Sequence, residues 1–304
     1  MIRRRIIMGL TVLAVCAAGM VQAQLKVVSL HPYMGDLARQ VGGDHVVLTD
    51  LMSLGGNPHD FEPTPDDLKQ VAEADIVLAS GKKLELYLDS IKDNLKKGAV
   101  LVEVGRTVPS CLIEADNPIF VCCPAHSVGS LDPHWWHSVV AMKRATKVVE
   151  AAFAKADQER SAAYKENSKA YQKELDDLNR WVKKRVGEVP RKMRYLCTAH
   201  AAFGYFCRDY RFKAMPIQGL NKEQDPKPKY LAESITLIKK HNVSVVFPEL
   251  TANPKVLQAM VEESGVRLGG HLLADTPSKD ASTYLAAYRY NVNTIVDGIL
   301  GKAK

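Results

Sequence analysis

The stretch from Asp66 to Val104, DDLKQVAEADIVLASGKKLELYLDSIKDNLKKGAVLVEV, decides the fold. Asp66 to Ala74 has helical spacing, and Ile76-Ser80 is a short apolar run of strand type. Leu84 to Leu95 is helical again, and Val100-Val104 is a second apolar run. Alternation of this kind implies βαβ units, whose crossover helices make neighbouring strands parallel. Toward the N-terminus the same rhythm continues. Val27-Leu30 and Val46-Leu51 read as strands around a helix from Tyr33 to Val41, and Leu54 to Pro65, rich in Gly and Pro, reads as a loop.

Beyond Val104 the pattern lapses from Pro109 to Asp132, apart from the short apolar run Ile119-Phe120-Val121. Helical sequence then returns, first from Ser138 to Ala154 and then from Asp157 to Val186, a segment without Gly or Pro. Tyr164, Tyr171, Leu175, Leu178 and Val182 fall 7, 4, 3 and 4 residues apart, one apolar stripe along a helix. Thirty helical residues would run roughly 45 Å, enough to cross from one domain to another. A coiled-coil dimerisation helix is the other reading of that stripe. Alternation then resumes: strands at Tyr195-Thr198, Ala214-Ile217, Ser244-Phe247 and Val266-Leu268, and helices at Ala202 to Tyr210, Lys229 to Lys240, Pro254 to Ser264 and Ala281 to Ile299. The chain therefore reads as two α/β domains. The expected division is a leader at 1–23, a first lobe at 24–155, a linking helix at 156–188 and a second lobe at 189–304.

Composition restricts function. The 304 residues are 46% hydrophobic and 25% charged, which are globular values. The net charge of +7 includes Arg3, Arg4 and Arg5 of the leader, and the remaining basic residues are interleaved with acidic ones. No basic stripe with aromatic residues is present, so nucleic acid is not an expected partner. Met1 to Arg5 is a basic n-region, Ile6 to Met20 is apolar, and Val21-Gln22-Ala23 is a small-residue cleavage pattern. The apolar run is shorter than the ~20 residues a membrane span needs. These features predict export and a periplasmic mature chain starting at Gln24. Leu13-Ala14-Val15-Cys16 resembles a lipobox, but bulky Val15 argues against it, so lipid anchoring at Cys16 is the lesser expectation. Cys111, Cys122, Cys123, Cys197 and Cys207 read as one or two loop-stapling disulfides plus a buried thiol, in preference to metal ligands.

Four loop residues carry chemistry: His59 in GGNPHDFEPTPDDL, His134 in LDPHWWHS, His200 in LCTAHAAFGYF and Asp275 in HLLADTPS. They are roughly 65 to 75 residues apart, so only the fold could unite them. Three imidazoles and a carboxylate suit tetrahedral zinc and also bind manganese or iron. His59, His200 and Asp275 follow predicted strands, where open α/β sheets place their ligands. His31, His45 and His241 read as surface or strand-end residues. His126, His137 and His271 compete more closely, and His137 reads as a structural neighbour of His134. Neither a local HExxH pair nor a Gly-rich nucleotide loop occurs.

At these residues the chain resembles the zinc/manganese periplasmic solute-binding proteins of ABC transporters, the TroA/ZnuA type. The resemblance rests on GNPHDFEPTPDDLKQVAEADIVLASGKKLELYL, DPHWWHS, TAHAAFGYFCRDYRF, and LLADTPS followed by YLAAYRYNVNTI, in order. It implies two Rossmann-like lobes with mainly parallel sheets, joined by one long rigid helix, with one metal ion between them. It implies His59, His134, His200 and Asp275 as ligands and a membrane permease as partner, the receptor itself being monomeric. Histidine at 200, where manganese-tuned members often carry glutamate, leans toward zinc, while the absence of a long His-rich loop weakens that assignment. Glu249 is expected beside the site. No catalysis is expected. Two other readings stay open: an exported zinc metallohydrolase with Glu249 as base, and a metal-binding surface adhesin.

Overall fold

The computed structural model describes residues 23–112, 131–217, 228–249 and 254–302. Residues 1–22 of the leader, the run Ile119-Phe120-Val121, Cys122, Cys123 and His126 lie outside these residues.

The first lobe is built on strands β1 (Leu25–Ser29), β2 (Val46–Asp50), β3 (Ile76–Ala79) and β4 (Val100–Glu103). They form a parallel sheet in the order β2-β1-β3-β4. Helices α1 (Pro32–Gly42), α2 (Pro65–Glu73) and α3 (Leu88–Asp93) connect them. Pro65 opens α2 behind a capping box, in which Thr64 and Asp67 satisfy each other's backbone N–H groups. Strands β5 (Tyr195–Thr198), β6 (Lys213–Pro216), β7 (Val245–Phe247) and β8 (Arg267–Leu268) form a second parallel sheet, ordered β6-β5-β7-β8.

Between the sheets in sequence lie α4 (Val139–Ala156) and α5 (Ser161–Gly187). In the second lobe follow α6 (Gly204–Tyr210), α7 (Pro228–Lys240), α8 (Pro254–Ser264) and α9 (Tyr284–Leu300). The 27 residues of α5 span about 40 Å. The stripe Tyr164, Tyr171, Leu175, Leu178 and Val182 is fully buried within the protein's own core. It packs on α4, α1 and α9, which leaves it no part in a coiled coil with another chain.

Side-chain alternation along the strands sorts residues between cores. Val27, Ile76 and Leu78 of the first sheet face one large cluster, as do Leu196, Val245 and Phe247 of the second. That cluster is continuous across both lobes through α1, α4, α5 and α9. The opposite faces feed two smaller clusters, with Val28, Val77 and Ala79 in one and Cys197, Met215 and Val246 in the other.

Two helices start four residues later than expected. The helix expected from Leu84 begins only at Leu88, because Lys82 and Lys83 adopt left-handed backbone and Glu85 turns inward to accept the Ser80 and Gly81 N–H groups. The helix expected from Asp157 begins at Ser161, because Asp157 caps the end of α4 in non-helical backbone and binds Arg160 and Tyr164 instead. Among the described residues no helix is long and apolar enough to cross a membrane.

Candidate metal centre

In a parallel sheet every strand ends on the same side, so the loops after the strands gather on one edge. His59 lies in the loop between β2 and α2. His200 follows β5 by two residues, and Asp275 follows β8 through a short bridge pairing Glu249 with Leu272. His134 immediately precedes a single 3-10 turn, Trp135–His137, which leads into α4.

These four side chains meet between the lobes, with their donor atoms all within 4.8 Å of one another. His59 Nε2 is 3.1 Å from His134 Nε2, which is 3.3 Å from His200 Nε2. Asp275 Oδ1 stands 3.6, 3.7 and 3.3 Å from the Nε2 atoms of His59, His134 and His200. Corners about 3.4 Å apart lie about 2.1 Å from the centre of a tetrahedron, the length of a zinc–imidazole bond. Separations this short between lone-pair donors suit a shared cation. The side chains of His134, His200 and Asp275 are at most 2% exposed and that of His59 is 9% exposed, so solvent reaches the cluster from the His59 side.

Carboxylates orient two of the rings. Asp132 Oδ1 accepts the His134 backbone N–H at 2.9 Å and the ring Nδ1–H at 2.8 Å, which leaves the Nε2 lone pair pointing inward. Glu249 does the same for His200, with Oε1 accepting the backbone N–H at 3.0 Å and Oε2 the ring Nδ1–H. Burial pushes the Asp132 carboxyl up to about 7, against the bond from the His134 backbone. Burial and the neighbouring His200 and His59 rings hold His134 well below the ordinary histidine range. Burial alone would lower His200 too, but the Glu249 and Asp275 carboxylates overcome it and raise this ring to about 9.

Other expected positions fall differently. His137 is buried outside the cluster, with Nε2 bound to the Ala274 carbonyl at 2.7 Å. His31, read as a surface or strand-end residue, follows β1 but is fully buried and caps α1, its Nδ1 accepting the Tyr33 N–H at 3.2 Å. Burial lowers it to about 3. His271 is exposed. Cys111, Cys197 and Cys207 are thiols, not disulfides, and none joins the cluster. Burial drives Cys197 up to about 12 and Cys207 higher, which makes both poor thiolates. Trp136 donates its indole N–H to the same Ala274 carbonyl at 2.9 Å, a contact the sequence does not announce. Its only signal there was its place in DPHWWHS.

The model of the family described as zinc-uptake complex component A, periplasmic, matches residues 27–298. The manganese-binding lipoprotein MntA of Bacillus subtilis is 32% identical over 284 residues, covering 91% of this chain and 90% of its own. The high-affinity zinc uptake system protein ZnuA of the same organism is 28% identical, covering 92% and 89%. Among solved structures, the periplasmic zinc-binding protein TroA from Treponema pallidum superposes with a TM-score of 0.81 at 25% identity, covering 91% of this chain and 99% of that one. Fold, site and similarity agree: the chain belongs to the family of periplasmic component A proteins of zinc-uptake complexes.

Proposed function

We propose that this protein captures one divalent transition-metal cation outside the cytoplasm and delivers it to the permease of an ABC transporter, with His59, His134, His200 and Asp275 as the ligands. The observation that carries this reading is the convergence of four donors, from four separate loops of two lobes, at the spacing a small cation requires. Zinc is the preferred cargo and manganese the alternative. Three imidazoles favour zinc, and donor separations of 3.1 to 3.7 Å fit a small ion. The relatives are named for both metals.

The function is binding, not catalysis. Four protein donors complete a tetrahedral shell and leave no position for a reactive water. A hydrolase reading needs Glu249 as a base, but this carboxylate is engaged with His200 through both oxygens. The shared core between the lobes supports small tilts or loop movement on loading rather than wide closure. The division into lobes at 24–155 and 189–304 around a linking helix, and a monomeric state, belong to the same proposal. MntA is named a lipoprotein, which gives no support to ranking lipid attachment at Cys16 below cleavage after Ala23. Mass spectrometry of the mature N-terminus distinguishes the two.

The test is metal analysis of protein purified without chelator, followed by competition between zinc and manganese. His59→Ala, His134→Ala and His200→Ala are each expected to lose most affinity. Wild-type affinity in all three would overturn the site.

A further inference from the structure

The Ala274 carbonyl, one residue before Asp275, accepts two hydrogen bonds from across the lobe boundary. Trp136 Nε1–H donates at 2.9 Å and His137 Nε2–H at 2.7 Å. A carbonyl oxygen has two lone pairs, so this acceptor is saturated. Both donors come from the 3-10 turn that begins next to His134. The neighbouring peptide is held as firmly, since Asn291 of α9 accepts the Leu273 N–H and donates to the Leu273 carbonyl, each at 2.8 Å. The turn itself is pinned by α9, whose Tyr284 and Tyr288 hydroxyls donate to the Trp136 and His137 carbonyls at 2.8 Å. The His137 ring stacks on Phe203 at 4.2 Å, and the Trp136 ring packs on His31 at 4.7 Å.

We propose that Trp136 and His137 are positioning residues for Asp275, and that their joint grip on the Ala274 carbonyl fixes the shape of the centre and so selects which cation it accepts. The inference rests on the metal-capture reading given above and deepens it. One short turn both carries His134 and holds the peptide that carries Asp275. The 3.7 Å separation of His134 Nε2 from Asp275 Oδ1 is therefore set by buried hydrogen bonds within the protein, not by the cargo. His59 is different. Its loop meets the Asp275 segment through Thr276, which accepts the Gly55 N–H at 3.0 Å and donates to the Gly56 carbonyl at 3.4 Å, and through the Pro277 carbonyl, which accepts the same Gly55 N–H at 3.2 Å. The centre thus has an edge between the lobes that buried hydrogen bonds hold, and a more exposed corner at His59. A carboxylate with a fixed backbone offers one oxygen in one direction, which suits a four-coordinate ion. Manganese prefers more oxygen donors, which a loosened Asp275 could supply by turning both oxygens inward. Releasing the grip should therefore relax discrimination in favour of manganese.

His137→Leu removes one donor and keeps an apolar side chain against Phe203, while His137→Gln keeps an N–H that can reach the carbonyl. Trp136→Phe removes the other donor and keeps a ring, and it stands in if His137→Leu does not fold. Removing such a support typically lowers metal affinity 10- to 100-fold. The expected result for His137→Leu is a fall in zinc affinity of about tenfold or more. The zinc-to-manganese affinity ratio should fall with it, and the cobalt(II)-loaded protein should lose visible-band intensity as its geometry leaves tetrahedral. His137→Gln should restore all three. In metal-free protein the Trp136 indole N–H should resist solvent exchange, and its resonance should move in His137→Leu. If His59→Ala and His134→Ala abolish binding while His137→Leu and Trp136→Phe keep the wild-type ratio and cobalt spectrum, the positioning role is wrong and the site stands. If the ligand variants also bind normally, the site itself is wrong.

Discussion

Loading the centre near neutral pH should expel close to one proton, and the proton comes from His200. This ring is held up to about 9 because the Glu249 and Asp275 carboxylates outweigh the effect of burial. A cation needs the Nε2 lone pair, so the proton must leave as the metal arrives. The unloaded protein therefore binds a proton that the loaded protein lacks, and apparent affinity rises with pH until about 9. Each pH unit below that is worth about tenfold, or 1.4 kcal/mol. Between pH 7 and 8.5, where the slope begins to level off, the gain is about 25-fold, or about 2 kcal/mol. His134 adds nothing here, since it is already neutral. Asp132, held at about 7, adds to proton release mainly below that pH. Titration calorimetry at pH 7.5 in buffers of different ionisation enthalpy measures the protons released per zinc ion. Glu249→Gln should remove most of the release and weaken binding by 10- to 100-fold, since one of the two N–H groups of His200 then faces an amide N–H. No proton release in the wild type, with affinity flat from pH 7 to 8.5, would refute the reasoning.

Three further outcomes follow from the geometry. Gly204 opens α6 against the Asp132 carboxylate, and a methyl group there would overlap it. Gly204→Ala should therefore displace the support of His134 and weaken zinc binding about 10- to 100-fold, with unchanged far-ultraviolet circular dichroism. Glu85 accepts the Ser80 and Gly81 N–H groups at 2.6 and 3.0 Å, and burial pushes its carboxyl from 4.5 up to about 7. From pH 4.5 to 7 the folded chain keeps a proton that the unfolded chain has lost, so this stabilisation is complete below 4.5 and gone above 7. Glu85→Gln should gain about 3 kcal/mol relative to wild type across that window, and a urea-midpoint difference independent of pH would contradict this. Leu178→Ala cuts the fully buried stripe of α5, with an expected cost of 2 to 5 kcal/mol. Tryptophan fluorescence and circular dichroism should shift together in one melting transition, and two separated transitions would show that the lobes do not share a core.

The ligand loops were legible because their surroundings carry local signals. PTPDDL caps a helix after His59, the apolar run Tyr195-Thr198 stops just before His200, and DPH precedes a helical stretch. Their convergence was legible only through the rule that parallel strands end together, and through the resemblance. Side-chain direction was not. Leu196 and Cys197 are neighbours on β5, yet one faces the shared core and the other the smaller cluster behind the second sheet. Cys207 lies on α6 in the shared core, so nearness to His200 in sequence gave Cys197 and Cys207 no common position. His31 shows the same limit. The pattern from Tyr33 to Val41 predicts a helix just after it, but packing against Tyr33 and Trp136 is what brings the ring inside.

Helix α9 follows every other described element in sequence, yet it packs on α5 and α1, two elements of far earlier sequence. Asp36 on α1 accepts the Tyr284 N–H at the start of α9, 248 residues away. A ribosome adding 5 to 20 residues per second needs roughly 10 to 50 seconds to travel from one to the other. Throughout that interval the apolar sides of α1 and α5 wait for their final partner. The nascent chain is most exposed to aggregation, and most available to a chaperone, until the last helix is delivered and closes the structure.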